Sequence, residues 1–259
     1  MNISWARQAA LASPLFAGTW LNLGCADSAA IAGLAGYDWA LLDLEHGSGQ
    51  AGDLVHQLAA MQPHRTAAIV RVPTIDAVVF KQVLDLGPAG LMVPNVETPE
   101  QALQALDAIR IPPRGARGVA TSTRNVGYGF HYERYVREAN DNLLTVVQIE
   151  SRTGLDNVEA IAAIDGVDVL FVGPTDLSID LGLSSEPTDA SFRAALTQVV
   201  AAAQRHGKLA GALVRNKTQA RQYQALGYRF LALGSDRGMV VQGMKDNAAF
   251  FAELAAGTP

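Results

Sequence analysis

The sequence predicts a (β/α)8 barrel of parallel strands, built as a single domain over residues 1–259. Three observations carry that expectation. Short runs rich in β-branched residues alternate with stretches of helical spacing, the pattern of repeated βα units. Four of the runs, Ala40-Leu-Leu-Asp-Leu-Glu-His46, Ala67-Ala-Ile-Val-Arg71, Leu144-Thr-Val-Val-Gln-Ile-Glu150 and Val169-Leu-Phe-Val-Gly-Pro-Thr-Asp176, end on polar groups suited to carbonyl chemistry. In a parallel barrel every strand delivers its C-terminal end to one mouth, so groups distant in sequence would converge there. The chain of 259 residues also has the length of one such barrel.

Taken in order, the first strand is expected at residues 14–21 and the second at 39–44, running into Glu45-His46-Gly47. A helix at 51–61 leads to the third strand, 66–72, in which Arg71 stands immediately before Val72-Pro73. A helix at 75–86 precedes the fourth strand at 90–94, and another at 99–109 follows it. The fifth strand, 143–150, ends on Glu150. A helix at 153–164 carries the chain to the sixth strand, 168–172, and to the turn Gly173-Pro174-Thr175-Asp176. A helix at 189–206, a strand at 208–214, a helix at 217–226 and a strand at 229–233 complete the alternation. Short apolar runs followed by turn signals read as buried parallel strands. Ala, Leu and Gln at helical spacing supply the helices. A doubly wound sheet would place a Gly-rich dinucleotide turn after its first strand, and this sequence has none there.

Residues 111–132 break the rhythm. The segment Ile111-Pro-Pro-Arg-Gly-Ala-Arg-Gly118 and its continuation to Tyr132 are rich in Gly and Pro and too long for an ordinary connection. Such loops are often lids or binding loops, and this one starts from the C-terminal side of a helix, so it is expected to return near the mouth or at a subunit contact. Arg114, Arg117 and Arg124 within it can meet an anionic substrate or pin the loop to nearby carboxylates.

Bulk properties narrow the function. A net charge of -5, without a block of like charges, argues against a nucleic-acid partner. No apolar run is long enough to span a bilayer, and the opening Met-Asn-Ile-Ser-Trp-Ala-Arg lacks the regions of a signal peptide. Cys25, the single cysteine, excludes an internal disulfide and a cysteine-built zinc site. A cytoplasmic protein with Cys25 as a small buried residue is expected.

The polar strand ends suggest a mechanism. Glu150 and Asp176 brought together in a partly dry pocket repel, so one must take a proton or a cation must lie between them. Oxygen ligands without cysteine or paired histidines favour magnesium or manganese. An ion there can chelate a 2-oxo acid and favour an enolate. Asp176 can instead be an ordinary helix N-cap, whereas Glu150 at the end of an apolar strand would be costly without a partner. His46 titrates in the range of a general acid or base, oriented by Asp43, Glu45 or another carboxylate. Arg71 can stabilise an enolate oxygen or form a structural ion pair. The amides around Gly173, Pro174 and Thr175, at a helix N-terminus, can bind a carboxylate. His56, His64, His131 and His206 lack metal-ligand spacing, and His56 and His206 fall on helix surfaces.

The blocks Leu42-Asp-Leu-Glu-His-Gly47, Val70-Arg-Val-Pro73, Val83-Leu-Asp85, Met92-Val-Pro-Asn-Val-Glu-Thr98, Val147-Gln-Ile-Glu-Ser151 and Val172-Gly-Pro-Thr-Asp-Leu-Ser178 together resemble the HpcH/HpaI aldolase family. The resemblance runs from about Gly18 to Asp236, with order and spacing kept. It implies a class II pyruvate aldolase on a modified TIM barrel that cleaves 4-hydroxy-2-oxo acids to pyruvate, or an analogue such as hydroxypyruvate, plus an aldehyde. It implies Glu150 and Asp176 as ligands of Mg2+, Mn2+ or Co2+, His46 as the acid/base group acting through water, and Asp85 as the carboxylate that pairs with His46. Arg71 matches an enolate-stabilising arginine, and Gln148, Gly173 and Thr175 match positions around the 2-oxo acid. A homohexamer with a C-terminal helix exchanged between subunits is implied as well. The apolar tail Ala248-Ala-Phe-Phe-Ala-Glu-Leu254 suits docking on a partner or packing on its own barrel.

Two stretches depart from the family pattern, Ala120-Thr-Ser-Thr-Arg124 and Asn95, and both would lie near the mouth, where the aldehyde is chosen. Other activities are conceivable on this scaffold. Decarboxylation of a 2-oxo diacid needs the same enolate stabilisation and is expected as a side activity. Acyl-CoA ester lyases usually open with an Arg-rich strand before Pro-Gly, which Leu15-Phe-Ala-Gly-Thr-Trp20 does not provide. A Schiff-base aldolase needs a lysine at the carbonyl, yet Lys81, Lys208, Lys217 and Lys245 fall on helices or strand starts. A non-catalytic binding barrel would not need the whole base, carboxylate and arginine set.

Overall fold

The computed structural model describes residues 5–186 and 188–256. Its elements, in chain order, are α1 (Ala6–Ala12), β1 (Phe16–Leu21), α2 (Ala26–Leu34), β2 (Trp39–Asp43), α3 (Ala51–Met61), β3 (Ala67–Arg71), α4 (Ala77–Asp85), β4 (Gly90–Val93), α5 (Pro99–Ile109), α6 (Tyr132–Asn142), β5 (Leu144–Ile149), α7 (Arg152–Asp156), α8 (Val158–Ala162), β6 (Val169–Val172), α9 (Pro174–Leu181), α10 (Ala190–Arg205), β7 (Leu209–Val214), α11 (Lys217–Leu226), β8 (Phe230–Ser235) and α12 (Asp236–Ala255). The strands pair in sequence order, all parallel, and β8 closes on β1. The expected barrel is therefore present, each strand within three residues of its expected bounds.

Side chains of a strand alternate between its faces. Ala40 and Leu42 of β2, Ala68 and Val70 of β3, and Leu170 and Val172 of β6 point outward and pack under the helices. Trp39, Leu41, Ala67, Ile69, Leu144, Val146, Val169 and Phe171 point inward and fill the barrel. Aromatic rings dominate that filling. Trp39 stacks on Phe230 with centroids 4.2 Å apart, and Phe171 meets Trp20 at 5.5 Å. A Cβ on Gly18 would stand 2.3 Å from the Trp39 ring, so this position must be glycine for the tryptophan to fit. Continuing each inward row by two residues reaches Asp43, Arg71, Gln148, then Glu150, and Gly173. The polar layer at the mouth is thus the next storey of the same packing.

Several expectations need correction. The helix expected at 153–164 is two short helices, α7 and α8. Asn157 separates them, with its side-chain amide donating to the Glu97 carbonyl at 2.8 Å. Helices α1, α2 and α6 were not expected, because they are short or strongly polar. Cys25 is exposed, not buried; it precedes α2 as its cap residue.

The 111–132 loop contains a 3-10 stretch at Arg124–Gly129 and lies at the floor of the barrel, opposite the mouth. It follows α5, and helices of this fold run back from mouth to floor. Arg124 donates to the carbonyl of Leu86, at the floor end of α4, at 2.6 Å. Arg117 is buried and donates to the Ile109 carbonyl at 2.7 Å and the Tyr135 hydroxyl at 3.1 Å. Arg114 pairs with Asp141 at 2.5 Å. Within one chain these arginines hold the loop in place, far from any substrate at the mouth, and the departure at residues 120–124 lies on the floor with them.

Helix α12 is unusual in the opposite sense. None of its residues is buried, and Met239, Val240, Val241, Met244, Phe250, Phe251 and Leu254 are exposed. Among the described residues, no helix is long and apolar enough to cross a membrane.

Candidate active site

Asp43 and Arg71 are the last residues of neighbouring strands and lie opposite each other in the β2–β3 register. Their side chains form a two-pronged pair, with Arg71 Nε donating to Asp43 Oδ1 at 2.9 Å and Nη2 to Oδ2 at 2.7 Å. Arg71 Nη1 also pairs with Glu45 Oε2 at 2.9 Å, and the guanidinium lies over the Trp20 ring at 5.2 Å. One N–H on each Nη atom remains for a substrate. Asp43 accepts further bonds from Trp20 Nε1, Asn22 Nδ2 and the backbone N–H groups of Glu45 and His46. Burial works to raise its pKa, but the Arg71 guanidinium and these donors outweigh it and hold Asp43 below the usual carboxylate range.

The same carboxylate therefore shapes the turn that carries His46. The imidazole is exposed, and its Nε2 stands 3.9 Å from Glu45 Oε2. Arg237, at the start of α12, closes the turn from outside by donating to the carbonyls of His46 and Asn22 and to Ser48 Oγ, at 3.5, 3.0 and 3.0 Å.

Glu150 follows β5. Its Oε1 accepts from the Asn95 backbone N–H at 2.7 Å and its Oε2 from Gln148 Nε2 at 3.0 Å. Asn95 has φ 49°, a left-handed conformation that asparagine tolerates better than most residues, and this aims its N–H at the carboxylate. Its contribution is thus through the backbone. Burial, then the neighbouring charges of Glu45 and Asp176, push Glu150 up to about 7, against the Asn95 bond that lowers it. Gln148 Oε1 is buried without a hydrogen-bond partner.

Asp176 is not the N-cap of α9. Gly173 holds that position, Pro174 opens the helix, and Asp176 lies in its first turn, exposed. A Cβ on Gly173 would stand 2.6 Å from Glu150 Oε2 and 3.6 Å from Asp176 Oδ2, so the glycine clears the space where the two carboxylates converge. Thr175 and Asp176 present first-turn N–H groups to the same space.

The residues present fit a divalent ion. Among the described residues no three His, Cys, Asp or Glu side chains gather closely enough to enclose a metal. Two carboxylates with open positions between them are nonetheless what magnesium or manganese uses when water and substrate complete the shell. Gln148, which donates to Glu150, lines the same region.

His46, Arg71, Gln148, Gly173, Pro174, Thr175 and Asp176 all line one cavity of about 640 Å3, and Glu150 abuts it through Gly173. Asp85 does not join them. It ends α4 at the floor, where Arg117 and Lys81 are its charged neighbours and where burial raises its pKa. Trp20 and Asn22, absent from the expected set, continue the inward row of β1, and the period-two pattern alone could have found them. Arg215, just after β7, also lines the cavity.

The model of the HpcH/HpaI aldolase/citrate lyase family matches residues 17–243. A 5-keto-4-deoxy-D-glucarate aldolase of Klebsiella pneumoniae is 43% identical over 222 residues, covering 86% of each chain. A hydroxypyruvate/pyruvate aldolase of Paraburkholderia phytofirmans is 42% identical over 229 residues, covering 86% of this chain and 87% of that one. The crystal structure of an HpcH/HpaI aldolase/citrate lyase family protein from Burkholderia cenocepacia superposes with a TM-score of 0.90 at 33% identity, over 96% of this chain and 99% of the other.

Proposed function

The chain belongs to the HpcH/HpaI aldolase/citrate lyase family, and we propose that it is a class II aldolase cleaving 4-hydroxy-2-oxo acids reversibly to pyruvate, or hydroxypyruvate, plus an aldehyde. The observation that carries this reading is the cavity in which His46, Arg71 and Asp176 meet, with Glu150 set against it through Gly173. Glu150 and Asp176 would hold Mg2+, Mn2+ or Co2+, which supplies a Lewis acid for the keto oxygen and is worth several kcal/mol in such reactions. The first-turn N–H groups of α9, at Thr175 and Asp176, receive the substrate carboxylate.

His46 takes the proton from the C4 hydroxyl, directly or through one water. The C3–C4 bond breaks, its electrons move to the C2 oxygen, and the aldehyde leaves. The two free N–H groups of Arg71 stabilise the resulting enolate oxygen, held at a fixed angle by Asp43 and Trp20. Returning the proton to C3 releases pyruvate. Decarboxylation of a 2-oxo diacid leaves the same enolate and is expected as a side activity. An acyl-CoA ester as main substrate is not favoured, since the similar curated enzymes are aldolases of keto acids.

The assembly belongs to this reading. A homohexamer would cover the exposed apolar residues of α12 through exchange with a neighbouring subunit. Asp85 lies at the floor of its own barrel, so it would pair with His46 only across a subunit contact. A cytoplasmic location suits the exposed thiol of Cys25, which stays reduced there.

The test is proton NMR of pyruvate in D2O, with metal-stripped protein and then with manganese or magnesium added at low dose. Metal-dependent loss of the methyl signal is expected, and Glu150→Gln and Asp176→Asn should abolish it. No exchange with any divalent ion, while the protein remains folded, would remove pyruvate as the donor.

A further inference from the structure

The catalytic groups occupy only the inner part of the cavity. Its outer wall combines Leu213 and Met239 with the neutral Gln242 and Ser235, and one cation, Arg215. Most charged contacts near the site are already committed: Arg71 is paired with Asp43 and Glu45, and Arg237 is spent on two carbonyls and a hydroxyl. Arg215 is different. It is exposed, its Nη2 donates only to Thr175 Oγ1 at 3.2 Å, and no carboxylate of the described residues lies within ion-pair distance. Gln219 Oε1 accepts from its backbone N–H and fixes the start of the β7–α11 connection.

The position relative to the reaction matters. Thr175 adjoins Asp176, so the Arg215 guanidinium stands at the rim directly outside the group that receives the 2-oxo acid. A substrate with its C1 carboxylate at the α9 N-terminus and its C2 oxygen toward Arg71 must send C4 and everything beyond it outward. That outgoing part is the aldehyde fragment. It meets an apolar wall and then an unspent positive charge. A guanidinium with free N–H groups binds a carboxylate through two parallel bonds, and a partly enclosed pair is stronger than one in open water.

We infer that Arg215 is the specificity-determining residue for the aldehyde, reading a carboxylate at the end distant from the carbonyl. The inference rests on the aldolase reading above and deepens it: the two ends of the substrate are recognised separately, C1 by the α9 N-terminus and the far carboxylate by Arg215. A neutral aldehyde of the same length fills the apolar wall but leaves the guanidinium with water. Arg215 takes no part in bond breaking, so its effect lies in the choice of partner.

The experiment compares 4-oxobutanoate with its methyl ester as acceptors for pyruvate, using the manganese-loaded full chain. The wild-type protein should favour the acid by about tenfold or more in kcat/KM, the range expected for one charged pair. Arg215→Gln should erase most of that ratio, chiefly through the KM of the acid, and Arg215→Lys should restore part of it. An unchanged ratio in Arg215→Gln would overturn the inference. A rise in pyruvate KM that is equal for both acceptors would also overturn it, by assigning Arg215 to the donor. Failure of the aldolase reading looks different: wild-type protein would then exchange no pyruvate methyl protons and use neither acceptor.

Discussion

At the scale of single residues, the site is a set of charges with unequal commitments. Asp43 is saturated with donors and serves as a fixed support for Arg71 and for the His46 turn. Glu150 is the reverse, a carboxylate held near neutrality by burial and by its acidic neighbours. This difference has a measurable sign. An unfolded Glu titrates near 4.3, so between that value and about 7 the folded, metal-free protein binds more protons than the unfolded chain. Stability is then greatest at the acid side of the window and falls as pH rises through it, by about 4 kcal/mol in total from Glu150 alone. Burial raises Glu45 and Asp85 as well, which adds to the same slope. Melting curves of chelator-treated protein should show a higher Tm at pH 5 than at pH 8, and Glu150→Gln should flatten the trend. A Tm that rises over this interval would contradict the burial of an unpaired Glu150. His46, Arg71, Glu150 and Asp176 were legible in the sequence because each lies at, or a few residues past, the end of an apolar strand. Asp85 could not be placed that way, since it ends a helix and not a strand.

At the scale of elements, strand periodicity did most of the positioning. Rows such as Leu144, Val146, Gln148 and Glu150 show aromatic and aliphatic filling passing into chemistry within one strand. The helices were less legible. Helix α6 is dominated by charged residues, and α7 and α8 share one helical pattern that Asn157 interrupts through a tertiary bond. The 111–132 loop starts on the floor side, as its place after a helix implies, but within one chain Arg114, Arg117 and Arg124 hold it there and it does not return to the mouth. The filling of the barrel gives a direct check at this scale. Gly18→Ala would press a methyl group into the Trp39 ring. It should destabilise the protein by about 1–3 kcal/mol, as overpacking does, visible as a lower denaturant midpoint with an unchanged m-value. Retention of full stability would mean that Trp39 can move without disturbing the layer above it.

For the whole molecule, α12 is the element that a single chain leaves unfinished. A helix of 20 residues with none buried does not gain its stability from packing on its own barrel. In the assembly proposed above, Met244→Asp combined with Phe251→Asp should shift the protein to smaller species in analytical ultracentrifugation, with the barrel still folded by circular dichroism. A monomeric wild-type protein would refute that assembly. Because the first turn of α12 carries Arg237, which clasps the His46 turn, such a shift should be accompanied by slower turnover.

The aromatic layer of Trp20, Trp39, Phe171 and Phe230 beneath the mouth also has an electrical consequence. The chain carries a net charge of -5, yet the acids it is proposed to bind are anions. Water cannot reach the site from below through this layer, so the fields of Arg71, Arg215 and Arg237 relax only on the open side. Charges farther away are largely screened beyond about 8 Å at physiological ionic strength. An arriving acid is therefore steered by the charges of the mouth itself, with Arg215 and Arg237 outermost, more than by the net charge of the molecule behind them.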